Sequence, residues 1–102
     1  MKITIMNRQE ILEILTKNKP ELSKLFGVDS IALFGSSVRG DSLPTSDIDL
    51  LVEFRKGNKD FFNFIRCKFY LENIFKHKVD LVMRSAVKPR IKKQIFQQAE
   101  YI

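Results

Sequence analysis

The sequence predicts an α/β (α+β) fold: a small mixed β-sheet flanked by helices, in the order αβαβαβα. Three observations predict it. Short apolar runs of strand length occur at Ser30–Phe34, Asp47–Phe54 and Val79–Met83. Segments with helical spacing of apolar residues alternate with them. Breakers at Pro20, Gly27, Pro44 and Gly57 punctuate the series. One sheet with helices packed against it is the layered solution to that pattern.

Taken in order, Asn7–Lys19 carries Ile11, Leu12, Ile14 and Leu15 among polar residues, an amphipathic first helix that Pro20 is expected to stop or kink. Glu21–Phe26 reads as a short helical turn closed by Gly27. Ser30–Phe34 is the first strand. Gly35-Ser36-Ser37 then makes a tight strand-to-helix turn into a short helix at Val38-Arg39-Gly40, and Asp41–Ser46 is a loop. Asp47–Phe54 is the second strand. Asp60 is placed to cap a helix running to about Lys76, Val79–Met83 is the third strand, and Lys88–Ala99 is a final helix with Pro89 in its first turn.

A chain of 102 residues suits one compact domain, residues 1–102, and leaves no room for two. Cys67 is the one cysteine, so an internal disulfide is excluded and a reducing, cytoplasmic setting is expected. The start, Met1-Lys2-Ile3-Thr4, lacks the apolar run of a signal peptide, and no stretch has the apolar length of a membrane span. The net charge of +6 favours anionic partners without choosing among nucleotides, RNA and acidic protein surfaces.

The chemistry gathers around misplaced charge. Alternation along a strand puts Asp47 and Asp49 on one face and Ile48 and Leu50 on the other. Paired carboxylates on an apolar strand repel, and burying them unpaired is costly. A divalent cation removes the cost, and magnesium suits carboxylate oxygens, retained waters and substrate phosphates. Asp80 is the same kind of charge in Val79-Asp80-Leu81-Val82. If the third strand lies beside the second, Asp80 completes a three-carboxylate cluster able to hold two ions for in-line displacement at phosphorus. Upstream, Gly35 lets backbone approach a ligand, and Ser36 adds a hydroxyl at a helix start, a cradle for phosphates. Arg39 either neutralises phosphate charge or makes a surface ion pair with Asp41 or Glu53.

Gly35-Ser36, ten residues, then Asp47-Ile48-Asp49 resembles the signature of the DNA polymerase β-like nucleotidyltransferases. The fuller stretch, Leu33–Asp41 with Ser46–Val52, is similar to the minimal nucleotidyltransferases (MNT proteins), antitoxin partners of HEPN-domain toxins. Lys78–Val82 resembles that family's third-aspartate strand, and Lys88-Pro89-Arg90 with Tyr101-Ile102 its C-terminus. The resemblance implies a magnesium enzyme moving AMP from ATP to a protein hydroxyl, a tyrosine of a HEPN ribonuclease. It implies that Asp47 and Asp49 bind both ions, that Asp80 binds the catalytic ion and helps deprotonate the acceptor, and that Gly35 and Ser36 hold the triphosphate. A hetero-oligomer with the toxin follows, with no membrane and no direct nucleic-acid binding. Two other readings stand beside it: a contact-only antitoxin with a vestigial nucleotide site, and a small-molecule nucleotidyltransferase.

The Asp60–Lys76 helix has two apolar stripes. Phe64, Cys67, Leu71, Ile74 and Phe75 form one, and Phe62, Ile65 and Phe69 form another, which needs either a second helix or a partner to cover it. Cys67 reads as core. Lys88, Arg90, Lys92 and Lys93 make the last helix basic, towards solvent, an acidic partner or RNA.

Overall fold

The computed structural model describes residues 8–35 and 47–102. Its elements are α1 (Arg8–Phe26), β1 (Val28–Leu33), β2 (Ile48–Phe54), α2 (Phe61–Phe75), β3 (Val79–Met83), a 3₁₀ turn (Arg84–Ala86), α3 (Pro89–Gln98) and β4 (Glu100–Tyr101). The mixed sheet runs β3-β2-β1-β4. β1 pairs antiparallel with β2 and β4, and β2 pairs parallel with β3. The connection from β2 to the parallel β3 runs through α2, as a parallel pair requires.

Pro20 does not end the first helix. α1 continues through it to Phe26, where Gly27 closes the turn at φ +69° and donates to the Ser23 carbonyl at 3.0 Å. The apolar stripe keeps its phase across the proline, with Ile11, Leu15, Leu22 and Phe26 all buried. A mid-helix proline costs roughly 3 kcal/mol. Burying Leu22 and Phe26 together contributes about 3–6 kcal/mol, so packing outweighs the break.

α2 starts where expected. The Asp60 side chain accepts from the Asn63 N–H at 2.8 Å, and Lys76 ends the helix in the left-handed region at φ 53°. One boundary and one strand escape the sequence reading. β1 begins at Val28, before Ser30, and a fourth strand, β4, borders β1. β4 is held by the Ile102 N–H donating to the Ile31 carbonyl of β1 at 3.0 Å and, from α1, by an Arg8–Glu100 ion pair. The short helix and loop expected at 36–46 lie outside the described residues.

The sheet's two faces are unequal. On one, Ile31, Leu33, Leu50, Val52 and Leu81 pack with α1 and α2 to form the main core. Cys67 lies fully buried there, and desolvation pushes its thiol from 9.0 up to about 12. Asn63, buried on α2, donates to the Phe26 and Asn58 carbonyls at 2.7 and 2.8 Å, pinning α2 to the end of α1. On the other face a smaller cluster of Ala32, Leu51 and Val87 is joined by Phe34, Val82 and Ile95. Among the described residues, this cluster leaves the start of β2 and β3 less covered than the main core does. The stripe of Phe62, Ile65 and Phe69 is only partly covered by the described residues: Ile65 is half-buried, while Phe62 is 76% and Phe69 60% exposed, and Phe61 beside them is 70% exposed. No helix among the described residues is long and apolar enough to cross a membrane.

Candidate functional site

β2 and β3 lie side by side, as the Asp80 argument required. Their register pairs Asp49 with Asp80, between Ile48–Val79 and Leu50–Leu81. Alternation places both carboxylates on the less-covered face, with Leu51 and Val82. Asp80 is exposed and Asp49 half-buried. Like charges directly opposite weaken a strand pair, and a cation against them would relieve that repulsion.

Gly35 completes this corner. The Phe34 N–H donates to the Asp49 carbonyl at 3.1 Å, which continues the β1–β2 ladder to the edge of the turn. Gly35 follows at φ +66°, a conformation that disfavours side chains. A β-carbon there would stand 2.6 Å from Asp49 Oδ2. The backbone at Gly35 and the Asp49 carboxylate therefore meet with no room for a methyl group between them. Ser36 and Arg39 lie outside the described residues, so the continuation of the turn and the role of Arg39 are not placed. Glu53, one partner considered for Arg39, pairs with Lys59 at 2.8 Å.

Asp47 departs from the expected arrangement. β2 begins at Ile48, one residue later than the sequence suggests, so strand alternation does not reach Asp47. Asp47 is exposed and lines a polar cavity of about 510 Å³ with Lys68, Glu72, His77 and Lys78. Lys68 and Glu72 come from α2, and Glu72 also accepts from the Val79 N–H at 3.0 Å, tying that helix to the start of β3. Among the described residues no three His, Cys, Asp or Glu side chains stand together as a metal-holding group. The structure thus brings Asp49, Asp80 and Gly35 together, and Asp47, just before β2, also borders the neighbouring cavity. The donor set still fits magnesium: all-oxygen, carboxylate, and open to water and phosphate.

A second cavity, about 420 Å³, opens beside Asp80 under the 3₁₀ turn and α3. Phe34, Val82, Val87 and Ile95 form apolar walls, and Lys88 and Arg90 stand at it. The sequence signal for Lys88 and Arg90 was the basic start of the last helix. What it could not show is that α3 folds back to bring them to Asp80. Lys68 gave no signal of its own, since its place near Asp47 depends on how α2 crosses the sheet.

Comparison with known proteins follows the same line. The family model for the nucleotidyltransferase domain matches residues 15–102. The protein adenylyltransferase MntA of Thermococcus cleftensis is 39% identical over 100 residues, covering 98% of this chain and all of that one. Among solved structures, a minimal nucleotidyltransferase superposes with a TM-score of 0.80 at 29% identity, over 95% of this chain and 97% of the other. A toxin–antitoxin structure with AMP-PNP superposes with a TM-score of 0.65 at 25% identity, over 94% of this chain and 72% of the other.

Proposed function

Because this chain belongs to the nucleotidyltransferase domain family, we propose that it transfers AMP from ATP to a tyrosine hydroxyl of a HEPN-domain toxin, and acts as that toxin's antitoxin. The observation that carries the reading is the Asp49–Asp80 register pair closed against Gly35. It puts two acidic groups and the bare backbone of Gly35 at one corner of the sheet. The similarity to a protein adenylyltransferase over nearly the whole chain supports AMP as the group moved and protein as its acceptor. The similarity to a toxin–antitoxin structure with AMP-PNP supports ATP as donor and a toxin as partner. The exposed Phe61, Phe62 and Phe69 supply apolar surface of the kind a partner covers.

In this reading Asp49 and Asp80 hold magnesium, with Asp47 as a further donor, and Gly35 and Ser36 cradle the triphosphate. When bound, the ions neutralise charge on the phosphates and polarise the α-phosphorus. The protein's own part is to hold the acceptor in line and to take its proton at Asp80. The tyrosine oxygen forms a bond to the α-phosphorus. The bond from that phosphorus to the bridging oxygen breaks, and pyrophosphate leaves with the electron pair.

Intact-mass spectrometry tests this directly. The chain is incubated with ATP, magnesium and a HEPN partner, and the partner is expected to gain mass in AMP-sized steps. Asp49→Asn should abolish the gain, and EDTA should do the same. A partner neutralised without any mass gain would overturn the transfer reading.

A further inference from the structure

From the cavity beside Asp80 we infer a docking pocket for the acceptor. It takes an aromatic hydroxyl side chain from a segment that is acidic around that residue, and Lys88 and Arg90 select the acidic flanks. The inference rests on the transfer reading above and specifies which surface serves the acceptor rather than the nucleotide.

Three features of the cavity carry it. Its volume, about 420 Å³, accommodates one large side chain and part of its backbone. Its walls are hydrocarbon and aromatic, from Phe34, Val82, Val87 and Ile95, which suits the body of a phenol ring. Among the described residues of its lining, Asp80 is the side chain able to accept a hydrogen bond from a hydroxyl. An adenine ring asks for more, because its edge carries several donors and acceptors that would lose water here without replacement. A phenol asks for an apolar slot with a single acceptor at its end.

The charges at the opening add direction. Lys88 and Arg90 are both exposed. Neither forms an ion pair with any described residue, so both charges are available to an incoming segment. Lys88 immediately precedes α3, and Pro89 at the helix start fixes the backbone there, so the two cations are presented from a rigid position. Opposite charge on the incoming segment would steer it and set its register over the cavity.

The consequence for chemistry is a division of the open face. The nucleotide side is the Gly35 corner with Asp49. The acceptor side is the cavity under α3. Asp80 stands between them, placed to receive the phenolic proton as the oxygen bonds to phosphorus.

Binding and transfer are measured separately to test this. The full chain, with magnesium and AMP-PNP, is titrated with fluorescent peptides holding one tyrosine flanked by glutamates or by lysines. The glutamate peptide is expected to bind at least about tenfold more tightly, a difference of about 1.4 kcal/mol. Lys88→Glu with Arg90→Glu should reverse that preference. Ala86→Trp, at an exposed position in the cavity lining, should weaken peptide binding while AMP-PNP binding stays within about twofold. Two results overturn the assignment: a flank preference indifferent to charge reversal, or an Ala86→Trp chain that loses AMP-PNP and keeps the peptide. A wild-type chain that binds the glutamate peptide as expected yet never transfers AMP refutes the transfer reading and leaves the docking pocket standing.

Discussion

Asp49 and Asp80 are register partners on the parallel strands β2 and β3, so two like charges face each other at the start of the sheet's open face. Opposed like charges cost a strand pair roughly 0.2–1 kcal/mol. The protein carries that cost at the corner where it also carries Gly35. Asp80→Asn is therefore expected to raise the melting temperature slightly in EDTA, while lowering AMP transfer by at least about 100-fold, the scale of losing a group that stabilises developing charge. Thermal denaturation with and without magnesium, beside a transfer assay, checks both halves. A variant less stable in EDTA would show that the carboxylate has a structural partner that outweighs the repulsion.

Gly35→Ala should fail for two separable reasons. The left-handed φ of +66° costs an L-residue about 1–2 kcal/mol. The added methyl also meets Asp49 Oδ2 at 2.6 Å and must displace it. The expected outcome is a destabilised chain whose transfer activity falls further than stability accounts for. Urea titration beside the transfer rate of the folded fraction separates the two.

Asn63 ties α2 to the end of α1 through two carbonyls and is buried. Asn63→Leu would leave those carbonyls without the amide and cost about 2–6 kcal/mol, the sum of two lost partners. Chemical denaturation should show the loss. AMP-PNP binding by the folded fraction should be unchanged, because Asn63 does not reach the open face.

Cys67 supplies a pH signature. Burial raises its thiol from 9.0 to about 12. The folded chain thus keeps a proton that the unfolded chain gives up above pH 9. Its contribution to stability is whole below that value and is lost as pH rises towards 12, at about 1.4 kcal/mol per pH unit at most. Cys67→Ala, destabilised at neutral pH by the cavity it leaves, should close its gap to the wild type as pH rises above 9. Thiol reagents at pH 8 should label Cys67 only after unfolding.

Phe62 is 76% exposed. Phe62→Ser is expected to change the stability of the isolated chain by no more than about 0.5 kcal/mol. If the partner covers this surface, the same variant weakens the complex, which sedimentation of the mixture would read.

Much of this architecture was legible in the residues. Strand positions followed from short apolar runs, the Asp60 cap from its place before α2, and the burial of Cys67 from helical spacing. The acidic corner was legible because Asp49 and Asp80 stand out within otherwise apolar strands. Pro20 misled, because local propensity gives way when Leu22 and Phe26 continue a buried stripe beyond it. β4 was hidden because a strand as short as Glu100–Tyr101 has no periodicity to read.

Local patterning alone determined which segments would be strands, which carboxylates were out of place, and that a glycine turn at Gly35 preceded them. Those signals depend on neighbours within a few residues. Tertiary structure decided that Asp80 stands opposite Asp49, that Asp47 precedes the strand and borders a cavity with Lys68 and His77, and that α3 brings Lys88 and Arg90 to the cavity beside Asp80. The reason is physical: strand order, register and helix crossing are set by burying the whole apolar surface at once, and no single segment carries that information.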